Sequence, residues 1–574
     1  MIKNLRYLSL FVIYFANELI KHHINSVIIP FRFNLIKFLR HKLNKNYNPF
    51  SDENFQSFIT ENNKLWLNSS TNYSDKENIL VTSLIHSHAG FSFYEALVSK
   101  YLSMSKQKNL IGLIRKQDIK SEVIFRSYGI KKILYFDDLN FLNRINFFIK
   151  TLKILKEYKS IDDFLNIKIN GIDHGKAVYE HLVRYTGIAT FDKLNFKFYY
   201  IFSKSLYIEN FCSELIKQNK IDSTVQSECQ FVPYSTIFQF FLKNNYKVYA
   251  RHGGEKKFSI RIFSDLREAY TIRAEVSKKT FEHVSKNFKN IAISEGTKHL
   301  KNRFFGLVGN QDTGSSKIAN KDKRDYSKKE ICKLFNWDIN KKIACVYSHA
   351  LIDGNYLQGW RIFRDNLTWL KETLNFIKKH NQYNWLIKPH PMEIEYDNLS
   401  KTDTEKEFNL MQRLTHINLV PNDISKISLI ELTDFAVTCN GTAALEYASF
   451  GKKSLMAGRS DFSDILFKNR IPKSKNEYFK KLENLDFIEE ISDEQIENAK
   501  IYTFVQWKLN LVDHPLNPEK IEPNLFFDEN SFWVDAVKKI KNYNENNDYF
   551  KKMLSYQIDN DYRHTPNLNV LNNN

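Results

Sequence analysis

Cysteine is scarce in this chain of 574 residues, and its spacing argues against two common ways of stabilising a fold. The cysteines are odd in number and form no CxxC pair; they are Cys212, Cys229, Cys332, Cys345 and Cys439. A disulfide framework and a structural zinc site are therefore not expected, and no metal ligand set is predicted. This usage fits a reducing compartment, and we expect a cytoplasmic protein.

Glycine, proline and long apolar runs are sparse as well, with 17 glycines and 11 prolines in the whole chain. The apolar run Leu8–Ala16 is about half of the ~20 residues that a membrane-spanning helix needs. It also ends in a poor signal-peptidase site, Tyr14-Phe15-Ala16. Hydrophobic residues nevertheless make up 43% of the chain, and its length predicts two large α/β domains plus extra segments.

Acidic residues are outnumbered, with 65 Asp and Glu against 84 Lys and Arg, for a formal net charge of +19. Such an excess attracts nucleic acid, anionic lipid or phosphorylated substrates. The basic residues are spread along the chain, and no RNA-binding signature or zinc-finger spacing is present. We therefore expect a basic enzyme rather than a nucleic-acid-binding protein, and an anionic membrane surface stays open as a partner.

Residues 1–75 are predicted to form a helical N-terminal segment. Lys3 and Arg6 precede the apolar run, and basic residues interleaved with apolar ones follow it. That mixture is typical of a helix lying on a membrane or on a partner. A helix packed on the protein's own body explains the pattern equally well.

A first α/β domain is predicted over residues 76–308. The apolar, β-branched run Ile79–Ile85 is typical of a buried parallel strand, and helices alternate with further short strands after it. A polar, lysine-rich stretch at 309–330 is the predicted linker. A second alternation predicts another α/β domain over 331–496, and 497–574 is predicted to consist of helices that pack back, with a frayed tail.

The second domain is predicted to contain strands over residues 343–347, 385–388, 417–420, 435–438 and 454–457, and a long helix over 360–379. Alternating strands and helices indicate doubly wound parallel sheets. The predicted fold class is therefore α/β, with two Rossmann-like domains facing a cleft and an extra helical N-terminal segment.

The most specific motif is WLIKPHP, residues 385–391. A buried strand would deliver Lys388 and His390 to its carboxyl end, where open α/β sheets bind ligands. The two prolines stiffen the turn and restrict the direction of the imidazole. A cation and a histidine in this position suit a phosphate or diphosphate leaving group, so we predict that Lys388 binds the donor and His390 acts in catalysis.

A second motif follows the strand predicted at 435–438. There Asn440-Gly441-Thr442 forms a turn, and a helix carrying Glu446 begins after it. Glycine allows a phosphate to approach the backbone, and the free amides at a helix start attract anions. Thr442 would cap the helix or donate to a phosphate, and Glu446 would lie one turn further on, within reach of a ribose.

Other polar residues follow predicted strands of the two domains. We assign Ser348 and His349 to donor phosphate binding, and His252 and Glu255 to the acceptor side, where one of them would act as general base. Weaker acceptor candidates are His86, His88 and Arg251.

These motifs resemble those of the capsule polysaccharide biosynthesis proteins, which are related to capsule Kdo transferases and, more distantly, to glycerophosphotransferases of teichoic acid synthesis. The similarity covers about residues 225–480; it is carried by residues 228–234, 251–253, 347–350, 353–354, 369–370, 384–391, 440–448 and 450–458. In related sialyl- and Kdo-type enzymes the His-Pro pair, here His390-Pro391, holds the donor phosphate. Their serine-rich phosphate loop is replaced here by Asn440-Gly441-Thr442.

The resemblance implies a GT-B glycosyltransferase that takes a nucleotide-sugar as substrate and needs neither a cofactor nor a catalytic metal. It further implies a polysaccharide or lipid-linked acceptor and work at the cytoplasmic membrane face. Three alternatives stay open: a nucleotide-sugar 2-epimerase on the same scaffold, a glycerophosphotransferase, and a non-catalytic capsule export protein.

Overall fold

The computed structural model describes most of the chain, and its contacts divide that part into two compact units. The first unit comprises residues 1–179, 192–269 and 512–566, and the second comprises 180–191, 270–511 and 567–574. The described residues are 2–27, 52–66, 73, 77–85, 89–116, 118–136, 140–254, 256–308, 323–357, 359–411, 414–468, 470–519 and 529–572. The predicted acceptor residues His86, His88 and Glu255, and most of the predicted linker, lie outside these ranges.

The strands of the described residues belong to two sheets, of seven and five strands. They are β1 (Asn78–Ser83), β2 (Asn109–Arg115), β3 (Lys132–Phe136), β4 (Ile221–Val225), β5 (Lys247–Gly253), β6 (Lys257–Phe263), β7 (Ile343–Tyr347), β8 (Asn384–Lys388), β9 (Ile417–Leu419), β10 (Phe435–Thr438), β11 (Lys453–Met456) and β12 (Val512–Asp513).

The α-helices alternate with these strands over most of the chain. They are α1 (Ile2–Val27), α2 (Glu53–Trp66), α3 (Ala89–Lys106), α4 (Ile119–Ser127), α5 (Phe141–Ile154), α6 (Ile161–Leu165), α7 (His174–Thr186), α8 (Phe196–Asn219), α9 (Tyr234–Lys243), α10 (Lys278–Asn287), α11 (Lys289–Phe304), α12 (Lys328–Phe335), α13 (Asn366–Ile377), α14 (Glu393–Tyr396), α15 (Thr404–Asn409), α16 (Lys426–Leu432), α17 (Ala443–Ser449), α18 (Ser463–Leu466), α19 (Lys475–Glu483), α20 (Asp493–Phe504), α21 (Glu529–Lys541) and α22 (Tyr549–Asp559).

Both sheets have the strand order of a Rossmann-like fold. The first is β3-β2-β1-β4-β5-β6-β12, and the second is β9-β8-β7-β10-β11. In each sheet the chain builds outward from its first strand, then crosses over and continues on the other side of that strand. The predicted α/β class with two Rossmann-like sheets is therefore confirmed. The point where the chain crosses over is called the switch point, and ligands bind there in such folds. It lies between β1 and β4 in the first sheet and between β7 and β10 in the second.

The first sheet differs from the prediction at one edge. Strands β1 to β5 are parallel to their neighbours, but β6 pairs antiparallel with β5, and β12 pairs antiparallel with β6. The core of this unit includes aromatic side chains of α2, α3 and α21, among them Phe58, Phe93 and Trp533. The segment 512–566 therefore completes the first unit rather than extending the second.

The second sheet is parallel throughout, and its central strands carry almost only buried apolar residues. In β7 and β8 the first four residues are all buried, as a strand covered on both faces requires. Helices α11, α17 and α20 pack together on this unit, and their core includes Ala292, Ala448 and Tyr502.

The helix predicted over 360–379 begins six residues later. Asp365 is its N-cap, accepting a hydrogen bond from the backbone N–H of Thr368 at 2.7 Å. The residues before it pair with the chain after β11 instead: Arg459 N–H donates to Trp360 O, and Ile362 N–H donates to Ala457 O, both at 3.0 Å. The cap and this pairing together stop the helix from extending to Trp360.

The chain end is attached to the second unit as far as it is described. Asn567 is buried, and its backbone N–H donates to the carbonyl of Leu509 at 2.6 Å. A short 3-10 turn, Leu568–Leu571, follows it. Residues 567–572 are thus held by backbone bonding where a frayed tail was expected.

Candidate functional site

Three neighbouring strands of the second sheet, β10, β7 and β8, end beside the switch point. Their last residues are in register, with Thr438 paired to Tyr347 and Tyr347 paired to Lys388. Parallel strands place their carboxyl ends at one edge, so the polar residues that follow each strand meet there. The structure thereby brings together these predicted site residues: Ser348, His349, Lys388, His390, Asn440, Gly441, Thr442 and Glu446.

His349 connects two of these loops directly. Its Nε2 accepts a hydrogen bond from the backbone N–H of Asn440 at 3.3 Å, across the switch point. That bond assigns the ring proton of neutral His349 to Nδ1. Burial, helped by the neighbouring His390 and Arg361, holds the pKa of His349 well below its usual value, so the ring is neutral at pH 7.

His390 lies parallel to His349, with 6.2 Å between the ring centroids and 12° between the planes. Its Nδ1 accepts from the backbone N–H of Met392 at 3.2 Å, so the neutral ring carries its proton on Nε2. Burial lowers the pKa of His390 to about 4, against the opposing effect of Asp353. His390 therefore offers an Nε2–H donor at neutral pH without a formal charge.

Lys388 ends β8 and is partly buried beside His390. Burial disfavours the charged ammonium and lowers its pKa to about 8. An anion bound next to Lys388 would stabilise the charged form again. Ser348 secures the neighbouring strand end, because its hydroxyl and its backbone N–H both donate to the Lys388 carbonyl, at 3.1 and 3.0 Å. Ser348 is thus engaged with the backbone of the loop that carries Lys388.

Glu446 is buried, 3% exposed, and is bound by two cations. Arg303 Nε contacts its Oε1 at 3.1 Å, and Lys426 Nζ contacts the same oxygen at 2.6 Å. Glu446 and Lys426 also influence the pKa of Lys388, so these groups lie close together. Two cations thus contact this carboxylate, and a third, Lys388, lies near enough for Glu446 to influence its pKa, so positive charge is in excess among these four groups.

Lys426 and Arg303 were not singled out in the sequence. Lys426 begins α16, directly after its N-cap Ser425 and at the carboxyl edge of β9. That position in the sequence could have identified Lys426 as a candidate site residue. Arg303 lies in α11, 143 residues from Glu446, and no local pattern connects the two.

The turn from Asn440 to Thr442 is closely packed against its neighbours. Gly441 N–H donates to Thr438 Oγ1 at 3.1 Å, and a Cβ on Gly441 would lie 2.8 Å from that oxygen and 3.4 Å from His349 Nε2. Glycine is therefore needed for the fit of the loop itself. Thr442 is the N-cap residue of α17, but its side chain makes no capping hydrogen bond. Helix capping therefore does not explain why a threonine occupies this position.

Arg361 is a further cation at this edge. Its Nη1 donates to Asn366 Oδ1 at 2.8 Å, while Nε and Nη2 are buried without a hydrogen-bond partner in the described part of the chain. It lies near enough to His349 to lower the pKa of that ring. A bound anion would satisfy these donors.

The predicted acceptor residues belong to the first unit. His252 in β5 is 8% exposed, and its ring meets His564 edge-on with centroids 5.9 Å apart. Arg251 lies over the Tyr94 ring at 4.0 Å, and its Nη1 donates to Gly253 O at 2.6 Å. Both side chains are thus packed within their own unit, and their acceptor role stays a prediction.

No protein-family model matches this chain, and neither does any curated protein sequence. Similar solved structures include the beta Kdo 2,4 transferase KpsC of Thermosulfurimonas dismutans, at 10% identity over 49% of this chain and 79% of that one, with a TM-score of 0.30. A glycosyltransferase of Rickettsia africae shares 11% identity over 82% of this chain and 100% of its own, with a TM-score of 0.22. MnaA of S. aureus, solved with UDP, shares 11% identity over 75% and 92%, with a TM-score of 0.21.

Proposed function

We propose that the protein is a glycosyltransferase that moves a sugar from a nucleotide-activated donor to a surface-polysaccharide or glycolipid acceptor. The observation that carries this proposal is the meeting of His349, Lys388, His390 and Asn440 at the switch point of the second sheet. Ligands bind at such edges in open α/β sheets, and the groups present here are hydrogen-bond donors and cations suited to phosphate.

The donor phosphate would lie against Lys388 and the Nε2–H of His390. When the bond between the sugar and the phosphate oxygen breaks, negative charge develops on the departing nucleotide. Fixed donors and cations at that position stabilise the charge without having to reorganise, which is the largest contribution in many enzymes. Lys426 and Arg303 add positive charge, and Glu446 orients both of them.

The acceptor hydroxyl would lose its proton to a general base during attack on the sugar carbon. His252 and Glu255 remain our candidates for that base. The assignment of a polysaccharide acceptor rests on the resemblance of the motifs to capsule biosynthesis proteins. It does not rest on a contact in the structure.

Nucleotide binding is the first test. We expect titration calorimetry to detect binding of at least one nucleoside diphosphate or monophosphate, and Lys388→Ala to weaken it. Thr442→Ala should weaken nucleotides more than the parent nucleoside, because its hydroxyl would contact only phosphate. Lys379→Ala, which removes an exposed lysine of the same unit, is the control. Failure to bind any nucleotide would favour a non-catalytic export protein.

Product analysis separates the remaining reactions. Donor incubated alone should stay intact or hydrolyse slowly, and it should be consumed faster when acceptor is added. Conversion of the donor sugar to its C2 epimer without acceptor would show an epimerase. Phosphorus retained in the acceptor product would show a glycerophosphotransferase.

A further inference from the structure

We propose that the outward face of α1 docks the protein on an anionic membrane surface. This inference concerns the first unit and does not depend on the proposed function. It begins with an unusual property of α1: both of its long faces are apolar, and only one of them is covered within the described part of the chain.

The inward face of α1 is aromatic and packs on α5 and α8. Phe11 and Phe15 are buried, and the Phe11 ring lies 4.7 Å from that of Phe148. Tyr7 meets Tyr199 edge-on at 4.8 Å. These contacts fix the helix on the body of its unit and determine which side faces outward.

The outward face is mostly aliphatic. Leu5, Val12 and Ile13 are 56%, 48% and 54% exposed, and Leu19 at the same side is 41% exposed. Positions 5, 9, 12, 16 and 19 recur at helical spacing, so their side chains lie along one stripe, which is apolar except at the exposed Ser9. Phe141 contacts Phe11 and Phe15 of the inward face and is itself 39% exposed. An exposed, mostly aliphatic stripe of this kind marks an interaction site.

The charge of the N-terminal sequence favours one kind of partner. Between Met1 and Ser51 the sequence contains a single carboxylate, Glu18, but eight Lys and Arg residues: Lys3, Arg6, Lys21, Arg32, Lys37, Arg40, Lys42 and Lys45. Glu18 is engaged on the inward side, where Lys204 Nζ donates to it at 2.5 Å and Tyr200 also donates to it. The sequence of this segment thus combines apolar and basic residues, and Glu18 is its one acidic residue.

Anionic lipid fits this surface better than a second copy of the chain does. A symmetric contact between two copies would bring basic segments together, and like charges across an interface are unfavourable. Acidic headgroups attract the same charges, and the aliphatic stripe can enter the boundary between headgroups and acyl chains. Among the described residues, no helix is both long and apolar enough to cross a bilayer. An interfacial position is therefore the geometry we propose for α1.

Vesicle sedimentation of the full chain tests the proposal. At low salt we expect binding to vesicles of phosphatidylglycerol and phosphatidylcholine, weaker binding to phosphatidylcholine alone, and release at high salt as screening shortens the range of the charges. The variant Leu5→Gln/Val12→Gln/Ile13→Gln should bind at least about tenfold more weakly, because it removes the apolar contact and leaves every charge in place. The control Leu334→Gln/Ile339→Gln/Phe487→Gln removes exposed apolar residues of the second unit and should bind like the parent.

Circular dichroism of each variant establishes that it is folded, and the substituted side chains are exposed enough for the fold to tolerate the changes. Three results would overturn the proposal. The first is failure of the full chain to sediment with anionic vesicles at low salt. The second is binding of the outward-face variant as tight as that of the parent, which would place the contact elsewhere. The third is a change in the oligomeric state of the variant without a change in vesicle binding, which would make the stripe an interface between copies.

Discussion

The rings of His349 and His390 lie nearly parallel, 6.2 Å apart between centroids, at the ends of two adjacent strands of the second sheet. Backbone N–H groups occupy one nitrogen of each ring, Asn440 N–H on His349 Nε2 and Met392 N–H on His390 Nδ1. Burial keeps both pKa values low, so two neutral imidazoles with assigned tautomers face a region rich in cations. Such a site offers directed donors to an anion before any proton is transferred.

His390→Ala should reduce sugar transfer by about two orders of magnitude, the usual loss when one transition-state donor is removed. Because the donor is the Nε2–H, His390→Gln should recover part of the rate, since its amide N–H can reach the same region. Steady-state rates with saturating donor provide the measurement. His283→Ala, an exposed histidine on α10, is the control and should match the parent. Parental turnover in His390→Ala would remove this residue from the mechanism.

Donor affinity should fall as pH rises through about 8, because the pKa of Lys388 is about 8 and only its protonated form attracts phosphate. The stability of the free protein should change in the opposite direction. The unfolded lysine keeps its proton to higher pH than the folded one, so the contribution of Lys388 to stability rises between the two pKa values.

Titration calorimetry of the nucleotide from pH 6.5 to 9.5 would measure this effect. Lys388→Arg is the matched control, since a guanidinium stays charged over the whole range and should abolish the decline. An identical decline in Lys388→Arg would assign the pH dependence to another group.

Gly441→Ala should destabilise the protein by about 1–3 kcal/mol, the usual cost of forcing a methyl group into a packed region. The new Cβ would lie 2.8 Å from Thr438 Oγ1. Thr438→Ala removes that oxygen, so the double variant should be more stable than the sum of the two single changes predicts, by at least about 0.5 kcal/mol. Urea unfolding of all three variants measures the coupling. Strict additivity would show that the loop relaxes in another way.

Glu446→Gln should lower the free energy of unfolding by about 3–5 kcal/mol, because Arg303 and Lys426 would lose the buried carboxylate that compensates both. Adding Lys426→Met should restore part of the loss by removing one of the unpaired charges. If Glu446 also holds the ribose, as the sequence pattern suggests, nucleoside and nucleotide should lose affinity equally. Unchanged stability in Glu446→Gln would contradict the ion-pair role.

Much of the second sheet was predictable because its strands are short, continuous apolar runs. The strands predicted at 343–347 and 435–438 have the same bounds in the structure. Parallel strands share a carboxyl edge, so the convergence of Lys388, His349 and Asn440 followed from the order of strands and helices alone. The N-terminal helix was also predicted, although its two apolar faces were not distinguished.

Only the tertiary structure decided which distant segments meet. Glu446 pairs with Arg303 across 143 residues, β12 joins the edge of the first sheet, and α1 turns its aromatic side to α5 and α8. Local sequence determines backbone preference and the periodicity of apolar residues, so it fixes what each segment can become. Packing free energies summed over the whole unit decide which face of a helix is buried and which carboxylate pairs with each cation. Those free energies are properties of the folded chain.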